Sequence, residues 1–376
     1  MRTYLDHNAT APLRPEAREA MLQALDAVGN PSSVHAEGRG ARAILEEARE
    51  QVAALVGVRP SQVVFTSGAT EANNWVLHAG WDAILVSGIE HDSVLAPART
   101  FCREVIDLPA ERSGVVRVDH VQAALAQRAG RSERVLLSLQ LANNETGVIQ
   151  PVAEAAALAR ELGVLVHSDA VQAVGRVPVD FEALGVDFLS LSAHKLGGPK
   201  GVGALILRDG LEIAPLIVGG GQERRRRSGT ENVAGIAGFG AAAAAARRDL
   251  NEQQRIALLR DRLEREAIEI APEAQVIGRE ATRLPNTTCL ALAGASAETL
   301  VIRFDLAGVA VSAGSACSSG KVGASTVLAA MGLPDDLARS AIRVSLGWTT
   351  TERDIEAFLS AWSAIAGGQQ QHRAVA

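Results

Sequence analysis

The chain has 376 residues, of which 47% are apolar and 21% charged, a composition typical of a soluble globular protein. Its length predicts two packed lobes, and its net charge of -6 argues against nucleic acid as the main partner. The first residues lack the apolar core of a signal or transit peptide, and no stretch approaches the roughly 20 apolar residues of a membrane span, so we expect no membrane partner.

In chain order, the first clear element is a helix in which apolar residues recur at 3.6-residue spacing from Ala41 to Val56, with Gly57 as its stop. Short β-rich runs then alternate with helical patterns. These runs lie at 63–66, 83–87, 135–139, 164–168, 187–192 and 203–207. The alternation predicts an α/β fold with a mostly parallel sheet covered by helices.

The turn from Thr66 to Glu71 joins the first of these runs to a helix. Backbone N–H groups at a helix N-terminus form a ready phosphate cradle, and the small residues Gly68 and Ala69 let the ligand approach closely. Because Thr70 and Glu71 are also ordinary capping residues, the turn by itself does not separate the two roles.

Asp169 and Lys195 each follow a predicted strand, 26 positions apart. Open α/β sheets bind ligands at the carboxyl ends of their strands. A lysine there needs a partner or conversion to an imine, and a carboxylate there can keep the pyridine nitrogen of pyridoxal 5'-phosphate (PLP) protonated. The residues alone leave open an exposed turn lysine at Lys195 and a helix N-cap at Asp169, ahead of a helix from Ala170.

Beyond residue 250 a charged amphipathic helix begins, with Ile256, Leu259 and Leu263 on one face. We assign residues 14–250 to a large domain, and residues 1–13 with 251–366 to a small one. The segment 367–376 lacks an apolar period and is predicted to be a flexible tail.

The cysteines are Cys102, Cys289 and Cys317, an odd number without the spacing of a disulfide framework or a zinc site, so we predict no metal centre and a reducing, cytoplasmic location. Cys102 and Cys289 lie in apolar surroundings and are predicted to be core residues. Cys317 lies instead in the small, polar, glycine-rich segment 312–320, which is predicted to be a mobile loop. A reactive cysteine must be present as the thiolate.

Ten segments together carry a resemblance over nearly the whole chain. They lie at 4–17, 30–42, 65–74, 90–95, 143–151, 167–175, 190–205, 219–232, 312–320 and 342–347. In these segments the sequence resembles class V aminotransferases among the fold-type I PLP enzymes, and within them the cysteine desulfurases. The resemblance implies a large domain with a mostly parallel seven-stranded sheet and a smaller α+β C-terminal domain.

The resemblance also implies roles for individual residues. Lys195 would bind PLP as a Schiff base, Asp169 would pair with the pyridinium nitrogen, and Gln172 would face the ring hydroxyl. His91 would stack on the ring and move protons; without the resemblance it is a structural histidine. The further cofactor contacts that it implies are Ala69, Thr70, Asn144, Ser192 and His194, with Thr230 reaching the phosphate of the neighbouring subunit in a homodimer.

For the substrate, the resemblance implies that Arg343 clamps the carboxylate of L-cysteine with help from Asn144, since the guanidinium fork matches a carboxylate. On its own Arg343 could equally pair across a sheet, and Asn144 could be an ordinary loop residue. Cys317 would take the sulfur as a persulfide, leaving L-alanine, and pass it to an acceptor such as an iron–sulfur scaffold protein. The runner-up is another class V enzyme, a small-amino-acid aminotransferase or a selenocysteine lyase. The run Arg224 to Arg227 is either a solvated face, a rim of the site or a contact for an acidic partner.

Overall fold

The computed structural model describes residues 2–128, 130–314 and 324–375. Within these ranges the strands are β1 (Thr3–Tyr4), β2 (Val63–Thr66), β3 (Ala83–Ser87), β4 (Glu104–Leu108), β5 (Val135–Ser138), β6 (Leu165–Asp169), β7 (Phe188–Ser192), β8 (Gly203–Leu207), β9 (Ala274–Ile277), β10 (Thr287–Leu292), β11 (Val309–Ala310), β12 (Ser312–Ala313) and β13 (Ala341–Ser345). The helices are α1 (Pro15–Leu25), α2 (Ala36–Leu55), α3 (Ala69–Leu77), α4 (Asp92–Phe101), α5 (Val118–Ala126), α6 (Val152–Glu161), α7 (Phe181–Leu184), α8 (Val233–Arg248), α9 (Gln253–Ile270), α10 (Ala297–Leu306), α11 (Thr326–Ala330), α12 (Asp335–Ala338) and α13 (Glu352–Val375).

The main sheet has seven strands in the order β2-β8-β7-β6-β5-β3-β4. β4, β3, β5, β6 and β7 run parallel, whereas β8 is antiparallel to both of its neighbours, β2 and β7. The predicted α/β fold with a mostly parallel seven-stranded sheet is therefore confirmed. The six predicted runs became strands within a residue of their expected ends; β4 was not predicted, because at the sheet edge it carries the exposed charges Glu104 and Asp107.

Both faces of this sheet are covered, which explains why its inner strands are continuously apolar rather than alternating. In β3, Leu85 faces a core shared with α2, α6 and α8, while Ile84 and Val86 face a second core shared with α3 and α4. Alternate side chains of a strand point to opposite faces of the sheet and pack against different helices. The helices cover the faces, which leaves the carboxyl ends of the strands available for a ligand.

Outside the main sheet lie a four-stranded antiparallel sheet, β12-β13-β10-β9, and the parallel pair β1-β11. Their core unites Leu5 with side chains of α9, α10 and α13, including Phe304, Phe358 and Trp362, whose rings stack with interplanar angles of 9 to 12°. The predicted division of the chain into two domains at residue 250 stays a prediction. Cys289, which lies beyond that residue, packs in the core of the main sheet.

The C-terminal segment differs from the expectation in one respect. α13 extends to Val375, so the predicted tail 367–376 is helical over residues 367–375 rather than irregular, and its flexibility stays a prediction. In the part of the chain that the structure covers, no helix combines the length and apolarity needed to cross a membrane.

Candidate active site

A cavity of about 630 Å³ opens at the carboxyl ends of β5, β6 and β7, beside the start of α3. Ten of the residues expected at the cofactor and substrate line it. They are Ala69, Thr70, His91, Asn144, Asp169, Gln172, Ser192, His194, Lys195 and Arg343. The fold thus gathers at one sheet edge residues that are spread over more than 270 positions of the sequence.

Lys195 ends a short 3-10 helix, Ala193–Lys195, that directly follows β7. Its Nζ donates hydrogen bonds to the carbonyl oxygens of Ala9, at 2.9 Å, and Asn8. Lys195 is therefore half-buried and held toward the N-terminal segment, which excludes the alternative of an exposed turn lysine.

His194 lies next to this lysine, with Nδ1 3.2 Å from the Thr10 hydroxyl. Burial and the neighbouring cations Lys195, Lys200 and Arg176 lower the pKa of His194 to about 4. Its ring is therefore neutral at physiological pH and can offer one N–H donor to an anion without adding a charge.

Asp169, the last residue of β6, is 9% exposed and has both carboxylate oxygens engaged. Oδ2 accepts from Asn73 Nδ2 at 2.8 Å, and Oδ1 accepts from the backbone N–H of Val171 at 3.0 Å. The alternative of a helix N-cap is wrong, because residues 170–180 contain no α-helix and form turns instead. The two hydrogen bonds hold the carboxylate in one orientation at the edge of the cavity.

Gln172, three residues later, has its amide orientation fixed from both ends. Its Nε2 donates to the Asn8 carbonyl oxygen at 3.2 Å, while Arg176 Nη1 donates to its Oε1 and, at 2.6 Å, to its backbone oxygen. Burial lowers the pKa of Arg176 to about 9, so this guanidinium still carries its charge at neutral pH.

His91 is the N-cap of α4, and its ring closes the cap. Nδ1 accepts from the Ser93 backbone N–H at 3.1 Å and lies 2.7 Å from the Ser93 hydroxyl. The same side chain thus has a structural role and lines the cavity, so the two readings of His91 are compatible.

Arg343, in the middle of β13, has a side chain that is only 2% exposed. Nη2 donates to Asp6 Oδ1 at 2.8 Å and Nη1 to the Asn144 carbonyl oxygen at 3.1 Å. Nε is buried and has no hydrogen-bond partner among the described residues. A guanidinium with a donor to spare beside the cavity suits a carboxylate ligand.

Two expected site residues are not among those gathered here. Thr230 is exposed and lines a separate cavity of about 150 Å³ together with Arg227. Cys317 lies outside the described residues. On either side of it, a Cβ on Gly314 would lie 3.1 Å from Glu145 Oε2, and the Ser325 hydroxyl donates to the same oxygen at 2.5 Å.

Glu145 is 4% exposed, and burial raises its pKa to about 7. Cys289 is fully buried, and burial raises the pKa of its thiol above its ordinary range, as suits a core residue. Cys102 is only partly buried and packs at the edge of the core formed by α3 and α4. In the described ranges, no group of three or more histidine, cysteine or acidic side chains is placed to hold a metal ion.

Several lining residues were not singled out from the sequence, namely Asn8, Ala9, Thr10, Ser93 and Lys200. The first three lie in the segment 4–17, which carries part of the family resemblance. They escaped notice because none of them has an acidic or basic side chain that would indicate a catalytic role. Ser93 lies two residues after His91, a spacing that indicates a contact only once His91 is known to be the N-cap of α4.

The arginine run divides between two environments. Arg224 and Arg225 are exposed, whereas Arg227 pairs with Glu71, beside Thr70, at 3.0 Å. Just before the run, Glu223 makes a buried two-point ion pair with Arg49 at 2.8 and 2.9 Å.

Comparison with known proteins gives consistent matches along the chain. Residues 3–358 match the family model described as aminotransferase class-V. Over 364 residues the chain is 43% identical to "Cysteine desulfurase IscS" of Dictyoglomus turgidum, covering 94% of this chain and 91% of the relative. It is 44% identical to "Cysteine desulfurase" of Cereibacter sphaeroides, covering 95% and 94%.

Solved structures give the same picture of the fold. A NifS-like protein from Rickettsia africae superposes with a TM-score of 0.90 at 37% identity, covering 97% of this chain and 99% of the other. The structure described as "SspA in complex with cysteine" has a TM-score of 0.78 at 30% identity, covering 92% and 98%.

Proposed function

The chain belongs to the aminotransferase class V family, and from that premise we propose that it is a PLP-dependent cysteine desulfurase converting L-cysteine to L-alanine. The observation that carries the proposal is the meeting of Lys195, Asp169 and Arg343 in one cavity of about 630 Å³. Relatives at 43% and 44% identity that bear the name cysteine desulfurase support the same activity.

The donor set of the cavity fits PLP. α3 begins at Ala69 without a side-chain cap, so its first N–H groups are available for the phosphate. A methyl group on Gly203 would lie only 2.7 Å from the Cα of Gly68, so glycine allows β8 to pass directly behind this turn. Asp169 would hold the pyridine nitrogen, Gln172 the ring hydroxyl, and Lys195 the aldehyde carbon.

PLP, when bound, supplies an electron sink that makes the α-proton of an amino acid labile. The side chains prepare the rest of the reaction. Arg343, fixed by Asp6, would orient the substrate carboxylate; Asn144 would assist it; and Lys195 and His91 would hold and move protons at Nζ and at the ring nitrogen.

We assign the sulfur step to Cys317. Its thiolate attacks the sulfur of the substrate, the carbon–sulfur bond breaks, and the electron pair of that bond stays with the carbon, which takes up a proton. In the net reaction, L-cysteine and the Cys317 thiol give L-alanine and a Cys317 persulfide. The persulfide then passes to an acceptor, for which we propose an iron–sulfur scaffold protein.

The proposal extends to a homodimer working in the reducing cytoplasm. Thr230 is exposed and lies outside the main cavity of its own chain, which supports a contact with the phosphate in a neighbouring subunit. Two-fold pairs of this kind are the commonest oligomers.

The deciding experiment measures alanine and sulfide formed from L-cysteine and a reducing thiol by the holoenzyme. We expect Cys317→Ala to keep the PLP absorbance and lose sulfide production, while Cys102→Ala, the matched cysteine control, keeps both. Undiminished sulfide release by Cys317→Ala would refute the assignment, and transamination without sulfide in the wild type would favour an aminotransferase.

A further inference from the structure

A buried chain of hydrogen bonds joins two parts of the site that lie on different elements. Asn73, on α3, donates from Nδ2 to Asp169 Oδ2 at 2.8 Å and to the Ser93 hydroxyl oxygen at 2.9 Å. Ser93, on α4, lies 2.7 Å from His91 Nδ1 through that hydroxyl. Asn73 is 0% and Ser93 9% exposed, so bulk water does not replace these partners.

The protons in this chain can be assigned from donor and acceptor capacity. The Asn73 amide turns its NH₂ group toward Asp169, and the second hydrogen of that group goes to the Ser93 hydroxyl oxygen. The Ser93 backbone N–H donates to His91 Nδ1 at 3.1 Å, so this nitrogen is an acceptor. The hydrogen between Nδ1 and the Ser93 hydroxyl oxygen, 2.7 Å apart, therefore belongs to the hydroxyl.

Two donors converge on His91 Nδ1, which therefore carries no hydrogen, and the proton of the neutral ring lies on Nε2. The capping role of His91 requires the same arrangement, because an N-cap side chain must accept a backbone N–H. The tautomer of this histidine thus follows from its neighbours on two helices rather than from the histidine alone.

We infer that Asn73 and Ser93 are positioning residues that fix His91 as the Nε2–H tautomer and tie its ring to the carboxylate of Asp169. The inference rests on the proposed function for its kinetic part only. During turnover, Nε2 is the atom at which His91 holds or moves a proton, while Nδ1 stays engaged by the α4 cap. Neither Asn73 nor Ser93 needs to touch the substrate for this role.

The tautomer can be read directly by solid-state ¹⁵N NMR on holoenzyme labelled with [¹⁵N]histidine, with His91 assigned by the signal missing in His91→Asn. We expect an unprotonated Nδ1 and a protonated Nε2 in the wild type. Ser93→Ala should shift the Nδ1 signal toward weaker hydrogen bonding, because only the backbone N–H of the α4 cap then donates to it, and Ser93→Thr should restore the wild-type signal.

Asn73→Ala should change the same His91 signals through the Ser93 hydroxyl, to which Asn73 donates at 2.9 Å. The matched control is Asn74→Ala, which changes the next residue of α3, an asparagine bonded to the Thr70 carbonyl oxygen. It should leave the His91 signals unchanged.

In turnover of L-cysteine, Ser93→Ala is expected to lower kcat about tenfold with KM within about twofold, since a misplaced proton-transfer group affects chemistry more than binding. Ser93→Thr should recover most of that loss. A protonated Nδ1 in the wild type, or His91 signals that do not move in Ser93→Ala, would overturn the inference. Because NMR needs no turnover, an inactive wild type with the expected tautomer would count only against the proposed function.

Discussion

Asp6, just after β1, and Arg343, in β13, form an ion pair, with Oδ1 and Nη2 2.8 Å apart and side-chain exposures of 17% and 2%. The pair is separated by 337 residues, and it aims the guanidinium at the cavity while Nε has no partner in the described chain. The carboxylate of Asp6 thus offsets the buried charge and fixes the fork that would receive the substrate.

The first prediction concerns this fork. Arg343→Lys should raise KM for L-cysteine and lower kcat/KM by about tenfold to a hundredfold, because an ammonium cannot make two parallel hydrogen bonds to a carboxylate. Steady-state kinetics would measure it. Asp6→Asn, which keeps the guanidinium, should cost less, and PLP absorbance should persist in both variants. Wild-type kcat/KM in Arg343→Lys would remove Arg343 from substrate binding.

The second prediction concerns pH. Burial raises the pKa of Glu145 to about 7, above the ordinary value of 4.5 that applies in the unfolded chain. Between these values the folded state holds more protons, so this group makes the free energy of unfolding fall as pH rises, by at most about 3 kcal/mol. Glu145→Gln should flatten the fall between about pH 5 and pH 8.

Urea unfolding at several pH values would measure that slope in both proteins. Glu154→Gln, a change on the exposed side of α6, is the control and should keep the wild-type slope. Equal slopes in Glu145→Gln and the wild type would show that this carboxyl does not titrate on unfolding.

The third prediction concerns the phosphate turn. Gly203→Ala would place a methyl group 2.6 Å from the Leu191 carbonyl oxygen and 2.7 Å from the Gly68 Cα, so the turn must move. We expect PLP to bind at least about tenfold more weakly, as measured by equilibrium dialysis, because displaced donors lose their geometry. Gly40→Ala, whose added methyl meets no described atom within 4 Å, should leave PLP affinity unchanged.

The fourth prediction concerns stability. Glu223 is bonded at both oxygens by Arg49, accepts the Phe65 N–H at 3.0 Å, and has a side-chain exposure of 2%. Glu223→Ala would leave the buried Arg49 guanidinium with only the partly exposed Glu46 as its counter-ion, and the Phe65 N–H without its acceptor. It should lower the free energy of unfolding by about 3 kcal/mol. Denaturant unfolding would measure this loss. The control is Glu16→Ala, which removes an exposed ion pair with Arg248 and should not measurably change the free energy of unfolding. A similarly small effect in Glu223→Ala would contradict the prediction.

Local pattern was sufficient for much of the fold. The runs at 63–66, 83–87 and 203–207 became β2, β3 and β8 with the expected ends, because strands buried on both faces must be apolar throughout. The edge strand β4 was not predicted, because it is partly exposed and contains charged residues. Its sequence therefore lacks the continuous apolar run by which the buried strands were predicted. The alternative of a helix N-cap at Asp169 is wrong: its Oδ1 accepts the Val171 N–H, but a turn follows rather than an α-helix.

For the site, the sequence by itself determined which chemical groups are present and that Asp169 and Lys195 lie at the ends of neighbouring strands. Only the tertiary structure decided which of these residues form hydrogen bonds with each other: Asn73 with Asp169, Asn73 with Ser93, and Asp6 with Arg343. Strand ends are set by local hydrophobic pattern, whereas hydrogen bonds between residues 96 or 337 positions apart depend on how whole layers pack, which no local pattern encodes.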